Sequence, residues 1–244
     1  MIKEQPLLRR RLKAGWRLLL ESTLKIPCRS VYGIPSALYK HLPRNNPIYL
    51  ADIGAHDGDF SFGLACWCGL ERAILVEPLP HKAAQMRERY RLPHYQVFEC
   101  ALAAEAGTAE LRVNAMEATS SLFAIRRDMP ELSALALGDE KIIRCGQRTL
   151  DSVTTEAKLG QIDLLKLDVQ GAEHLVLAGA EQTLKRTKLI WCECSFKPLY
   201  TGSSTFADIY EMLQGSGFQL LELSPGMSSP TGEMLQVDAL FRRR

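Results

Sequence analysis

Three acidic residues lie at the ends of apolar runs. Asp52 follows IYLA (48–51), Glu77 follows AILV (73–76), and Asp168 stands near the end of IDLLKLDV (162–169). Runs of this kind form strands buried on both faces, and open α/β sheets bind ligands at the carboxyl ends of such strands. Beyond Asp52 the chain reads Gly54-Ala55-His56-Asp57-Gly58-Asp59-Phe60-Ser61, after which Phe60, Leu64 and Trp67 recur at helical spacing. A strand, a glycine-bearing turn and a helix start are where an α/β protein holds a nucleotide-like ligand. Gly54 and Gly58 are expected to let the backbone approach that ligand with no Cβ in the way.

The turn itself narrows the ligand. A dinucleotide site asks for G-x-G-x-x-G, so that a pyrophosphate rests on a helix N-terminus. This turn has two of those glycines, and Asp57 and Asp59 are poor neighbours for a pyrophosphate. Acids suit a cation. S-adenosylmethionine carries a sulfonium and an ammonium, and Asp52 offers the ammonium a carboxylate. Glu77 comes 19 residues after Gly58, near the spacing at which an acid accepts both protons of a ribose diol. NAD offers the same diol, so Glu77 supports a nucleoside and the acidic turn selects the methyl donor. At 166–173 (KLDVQGAE), Lys166 and Asp168 share one face of a strand that opens into Gly171. Two buried charges without partners cost several kcal/mol. A structural ion pair is one reading; the other puts Asp168 beside the methyl donor or acceptor, with Glu173 one helical turn away.

These residues need a sheet to carry them. Strands are expected at 48–52, 73–77, 95–100, 107–113, 142–145, 162–169, 189–194, 220–223 and 236–241, with helices at 80–91, from 149, from Gly171 through Leu184, and around Phe206, Ile209, Tyr210 and Leu213. Repeated strand-helix units predict a largely parallel sheet with helices on both faces. The last two strands flank a loop rich in Pro, Gly and Ser and are expected to pair antiparallel. Residues 114–148 and 195–232 are expected to form the acceptor pocket.

The 244 residues suit one α/β domain with a short extension. Residues 1–46 read as that extension and 47–244 as the domain. Residues 7–24 form a basic amphipathic helix pattern with Leu8, Leu12, Trp16, Leu19 and Leu20 near one face. This is read either as a cap on the domain or as a peripheral membrane contact. A net charge of +2 makes no case for nucleic acid, and no run approaches a membrane span. Leu18-Leu19-Leu20 is too short for a secretory core, so a cytoplasmic protein is expected, its seven scattered cysteines reduced. No ligand set for a metal is evident.

In chain order, DIGAHDGDFS (52–61), VEPLP (76–80), ALAAEAG (101–107), SSL (120–122), TLDSV (149–153), IDLLKLDVQGAEHLVLAGAEQTL (162–184), ECSFKPLYTG (193–202) and QVDALF (236–241) resemble the FkbM family of S-adenosylmethionine-dependent methyltransferases. The resemblance implies a class I methyltransferase (Rossmann-like) fold: a mostly parallel seven-stranded sheet with an antiparallel C-terminal strand. It implies methyl transfer, usually to a hydroxyl of a sugar, glycolipid or polyketide acceptor. By position, Asp52, Gly54, Ala55, His56, Gly58, Phe60 and Ser61 would line the methionine and ribose side. Glu77 and Pro78 would hold the ribose, Ala101 and Leu102 would border adenine, and Ser121 and Asp168 would reach the methyl region. Read from the residues themselves, the candidates for the base that takes the acceptor's proton are Asp168, Glu173, His174 and His56, with Asp168 or Glu173 favoured because they follow the strand end. Two positions depart from the family: His56 replaces its common Asn, and Gln170 its common Glu. A nucleotide-binding oxidoreductase and a catalytically silent binding module are the alternatives.

Overall fold

The computed structural model describes residues 30–31, 34–129 and 139–244. The amphipathic pattern at 7–24 and the middle of the 114–148 segment lie outside the described residues. The chain runs through β1 (Ser30–Val31), β2 (Ile34–Pro35), α1 (Ser36–Tyr39), β3 (Ile48–Ile53), α2 (Asp59–Trp67), β4 (Leu70–Val76), α3 (Pro80–Arg89) and β5 (Tyr95–Phe98). It continues with β6 (Ala101–Leu102), β7 (Gly107–Val113), β8 (Lys141–Arg148), α4 (Leu150–Glu156), β9 (Ile162–Leu167), α5 (Glu173–Ala178) and α6 (Glu181–Lys185). β10 (Thr187–Ser195), α7 (Phe206–Gly215), β11 (Phe218–Pro225) and β12 (Gln236–Arg243) close it.

Seven strands form one sheet in the order β11-β12-β10-β9-β3-β4-β5. β10, β9, β3, β4 and β5 pair in parallel, whereas β12 runs antiparallel to both its neighbours. Alternation along β3 explains why both faces are covered. Ala51 and Ile53 join a core with Leu150, Val176, Leu184 and Leu213, from the helices α4 to α7. Ile48 and Leu50 turn to the opposite core, with Leu38, Leu64 and Met86 from α1, α2 and α3. Residues 34–42, inside the stretch expected as an extension, therefore contribute buried Ile34, Leu38 and Leu42 to the main core.

Local chemistry sets the helix starts. Pro80 occupies the first turn of α3, where its missing N–H costs nothing. Thr149 accepts a hydrogen bond from Ser152 N at the start of α4, and Thr205 and Asp208 form a reciprocal capping box on α7. Two expectations need correction. The single helix through Leu184 is two, α5 and α6, broken at Gly179 and Ala180. A Cβ at Gly179 would lie 2.2 Å from the Ala103 carbonyl oxygen, so β6 crowds the chain there. The strands at 107–113 and 142–145 belong to a separate three-stranded sheet, β6-β8-β7.

Candidate active site

Strand order reverses between β3 and β9: β4 and β5 lie to one side, β10 and β12 to the other. Such a switch point opens a crevice at the carboxyl ends of the strands. Here the turn after β3 meets the turn after β9 at very short range. A Cβ on Gly54 (φ +75°) would fall 1.8 Å from the Asp168 carbonyl oxygen, and one on Gly58 (φ +72°) would fall 2.9 Å from the Tyr90 ring. Both glycines thus make room for protein, and Gly54 lines the crevice as well. Gly54 lets two strand ends converge, and Gly58 lets Tyr90 OH donate to its carbonyl at 2.5 Å.

A cavity of about 500 Å³ fills the crevice. Of the residues expected at the site, Gly54, Ala55, His56, Phe60, Glu77, Pro78, Ala101, Leu102, Ser121 and Asp168 line it, whereas Asp52, Gly58, Ser61 and Glu173 do not. Glu77, at the end of β4, is 5% exposed and held from two sides. His56 N donates to Oε2 and Leu79 N to Oε1, each at 2.9 Å. Burial raises the Glu77 pKa, and those two N–H groups oppose the rise. Each oxygen keeps a lone pair for a hydroxyl donor. Ala101, Leu102, Leu111 and Leu122 make the neighbouring wall apolar. Leu111 comes from β7, so the small sheet roofs this end of the cavity.

Asp52 is fully buried and turned into the protein. Ser61 Oγ donates to its Oδ2 at 2.6 Å, and Lys166 Nζ lies 3.4 Å from its Oδ1. Lys166 also stands 3.2 Å from Asp168 Oδ2 and donates to the Gly54 carbonyl at 2.7 Å. Burial pulls the ammonium's pKa down, but Asp168 and Asp52 outweigh it and leave it raised. Asp52 thus meets the cavity through Lys166, and the two readings of Lys166 and Asp168 coexist: an ion pair whose outer acid lines the site. Glu173, 3% exposed, accepts from Val169 N at 2.9 Å and Gly171 N at 3.3 Å. Burial pushes it up to about 7. It fastens the β9–α5 turn instead of facing the cavity.

His56 holds a left-handed φ of +48°, uncommon for a non-glycine residue. Its Nδ1 is 3.1 Å from Asp57 Oδ2. Asp57 also takes Lys82 Nζ at 2.7 Å, a bond that holds its carboxyl below the usual range.

Sequence reasoning missed the two acids that complete the site. Glu193 on β10 pairs in register with Asp238 on β12, and both line the cavity beside Asp168. Because β12 is antiparallel, its amino-terminal half reaches the same edge as the carboxyl ends of β9 and β10. The three carboxylates form a row across three strands. Gln170 ties the row together: its Nε2 donates to Asp168 Oδ1 at 2.8 Å and to Glu193 Oε2 at 3.0 Å. Burial raises the Glu193 pKa well above the ordinary range, with Asp168, Glu173 and Asp238 adding to it. Asp238 is pushed up to about 7, by burial first and by Asp168 second. Glu193 carried the same signal as Glu77, an acid closing an apolar run (LIWCECS); Asp238 becomes visible only through strand pairing.

The methyltransferase FkbM domain model matches residues 52–220, more than half of the chain and all of the crevice-forming turns up to β11. The chain belongs to the FkbM methyltransferase family. This FkbM methyltransferase is 29% identical over 228 residues to the 2-O-methyltransferase NoeI of Sinorhizobium fredii, covering 88% of the present chain and 93% of NoeI. Its fold matches the crystal structure of an FkbM methyltransferase from Methylobacillus flagellatus with a TM-score of 0.51 at 16% identity. That alignment covers 85% of the present chain and 45% of the other, so the chain spans less than half of that longer protein. The family assignment sets the oxidoreductase reading aside and makes S-adenosylmethionine the cofactor. The cavity fits it: a buried acceptor-only carboxylate for a diol, an apolar wall beside it, and an acidic rim suited to a cation. Among the described residues no group of His, Cys, Asp and Glu is placed to hold a metal ion, and no helix is long and apolar enough to cross a membrane.

Proposed function

We propose that this methyltransferase O-methylates a hydroxyl of a sugar, glycolipid or polyketide-type acceptor. The observation that carries this reading is the row Asp168–Glu193–Asp238 at the rim of a cavity that already provides a nucleoside site. An alcohol must lose a proton as it is alkylated, and a placed base typically contributes roughly 10²–10⁴-fold. A row of carboxylates that includes Glu193 and Asp238, both of whose proton affinities burial raises, supplies one. The name of the relative NoeI supports oxygen as the methylated atom.

In this reading Glu77 holds the ribose hydroxyls, while Ala101, Leu102 and Leu111 border the adenine. Bound S-adenosylmethionine supplies an activated methyl group on a sulfonium. The protein's own work is then alignment and charge. Lys166, itself clamped by Asp52 and the Gly54 carbonyl, fixes Asp168 at the β9 end of the cavity. Asp168 is held there beside the cationic donor, and positioning of donor and acceptor in line provides most of the rate. The basic segment 7–24 would bring the enzyme to an anionic membrane carrying a glycolipid acceptor. Replacing Arg9, Arg10 and Arg11 with Ser in the full chain should then lower co-sedimentation with anionic liposomes; unchanged sedimentation removes that part of the proposal.

The test is incubation with S-adenosylmethionine labelled in the methyl group and a panel of glycosides, glycolipids and polyketide alcohols. Label that survives mild base and is found as a methyl ether supports the proposal. Label recovered as an ester or amine contradicts it, and binding of the cofactor with no transfer across the panel points to a silent module.

A further inference from the structure

We propose that a second, smaller cavity beside the cofactor site seats one neutral sugar ring of the acceptor, and that Glu193, on the wall common to both cavities, takes the proton of the hydroxyl that is methylated. This rests on the O-methyltransferase reading above.

The second cavity measures about 210 Å³ and is walled by Leu199, Tyr200 and Met227, with Gln170, Glu193 and Gln236 at its inner end. Gln170 and Glu193 line the cofactor cavity as well. The two cavities thus share a wall, and a ligand in the small cavity lies against Glu193 on that wall. The volume is below the ~300 Å³ at which drug-sized sites begin, which suits a ring-sized group and leaves the rest of a larger acceptor outside. The two segments expected to form the acceptor pocket meet here, since Ile125 forms an isolated antiparallel bridge with Tyr200.

Hydrogen bonding separates Glu193 from the other acids. Tyr200 OH lies 2.8 Å from Gln170 Oε1, which turns the Gln170 amide nitrogen towards the carboxylates. Gln170 Nε2 and Gln236 Nε2 both donate to Glu193 Oε2, at 3.0 and 3.1 Å. No hydrogen bond from a described residue reaches Oε1, which is left for a substrate hydroxyl. Asp168 is already engaged by the Lys166 ammonium and by Gln170 Nε2, and Glu173 lies off both cavities. Among the described residues Glu193 forms no ion pair with a Lys or Arg. The groups facing it are Asp168, Asp238 and Glu173, with Lys166 opposing them, and burial adds to their effect to raise its proton affinity. The same three acids against one lysine repel phosphates and carboxylates and leave uncharged hydroxyls as the fitting ligands. In the reaction the acceptor O–H bond breaks and its proton passes to Glu193 Oε1. The O–CH3 bond forms as the C–S bond breaks, and that electron pair stays on sulfur as a neutral thioether.

The binding test uses the full chain saturated with S-adenosylhomocysteine, probed by saturation-transfer NMR with methyl glucopyranoside and its 6-phosphate. The neutral glycoside should bind and the phosphate should not, and Met227→Trp, which fills the small cavity, should abolish the signal while calorimetry still shows full S-adenosylhomocysteine affinity. No binding of the glycoside, equal binding of the phosphate, or binding that survives Met227→Trp overturns the subsite. For the base, Glu193→Gln should lower kcat on methyl glucopyranoside by about 10²–10⁴-fold. It should also remove the acidic limb of the kcat–pH profile and leave S-adenosylhomocysteine affinity within about threefold. A kcat within a few-fold of wild type, or an unchanged acidic limb, overturns the assignment of Glu193. If the wild-type chain itself fails to bind S-adenosylhomocysteine, the function reading has failed; if it binds and transfers but Glu193→Gln is silent, this inference alone has failed.

Discussion

Lys166→Met removes the one cation that, among the described residues, neutralises the fully buried Asp52 carboxylate. In the native protein Lys166 Nζ is 3.4 Å from Asp52 Oδ1 and 3.2 Å from Asp168 Oδ2, and it also donates to the Gly54 carbonyl. Without it, Asp52 keeps only the Ser61 hydroxyl, inside a core with no water access. Removing one partner of a buried pair costs about 3–5 kcal/mol. For a domain of this size each kcal/mol lowers Tm by about 2–4 °C, so the expected loss is on the order of 6–20 °C by calorimetry. The pH dependence follows from the sign of the shift. In wild type the raised Lys166 pKa gives stability that is present in full below the unfolded lysine value and is lost only as pH rises through the higher folded one. That term is therefore flat from pH 5 to 9. Adding Asp52→Asn to Lys166→Met should recover most of the loss by removing the unpaired charge. A single variant that melts within about 2 °C of wild type, or a double variant no better than the single, would refute the reasoning.

Other expectations follow from the same geometry. Gly54→Ala places a Cβ 1.8 Å from a backbone oxygen at φ +75° and should yield no soluble folded protein, or protein without cofactor affinity; a normal melting curve with full binding counts against the β3–β9 contact. Glu173, raised to about 7, binds its proton more tightly folded than unfolded, so stability should fall as pH rises from about 4.5 to 7, by up to about 3 kcal/mol. Glu173→Gln should flatten that part of the Tm–pH curve, and an unchanged slope would assign it elsewhere. His56→Asn puts a residue more tolerant of left-handed backbone at φ +48°; Tm should hold or rise, with S-adenosylhomocysteine affinity within about threefold by calorimetry.

The parts of the site carried by local pattern were legible. Asp52, Glu77 and Asp168 each ended an apolar run, and all three came out at the carboxyl edge of one sheet. The fold, with its antiparallel last strand, was legible from alternation and from the run of family-like stretches. What depended on distant neighbours was not. That Gly54 and Gly58 also make room for protein was hidden because nothing in sequence announces the Asp168 carbonyl or the Tyr90 ring. Gly179 looked tolerable inside a helix because the Ala103 carbonyl that excludes a Cβ comes from a segment distant in sequence, just after β6. Asp238 sits mid-pattern in QVDALF and joins the acidic row only through its register with Glu193. Glu173 and Asp168 flank the same turn, but a rotation of the helix start sends one into backbone N–H groups and the other into the cavity. The strands β7 and β8 have the same short, alternating look as edge strands of the main sheet, so their separate sheet was hidden.

The central claim is that this chain holds S-adenosylmethionine through Glu77 in the crevice between β3 and β9. Calorimetric titration of S-adenosylhomocysteine into wild type and Glu77→Ala tests it most directly. A single hydrogen bond to a charged group contributes about 1.5–3 kcal/mol, so losing even one of the two to the ribose hydroxyls should weaken binding by at least about 10- to 150-fold, with no heat from NAD in either protein. Equal affinity in the two proteins, or binding of NAD at the same site, would contradict the account.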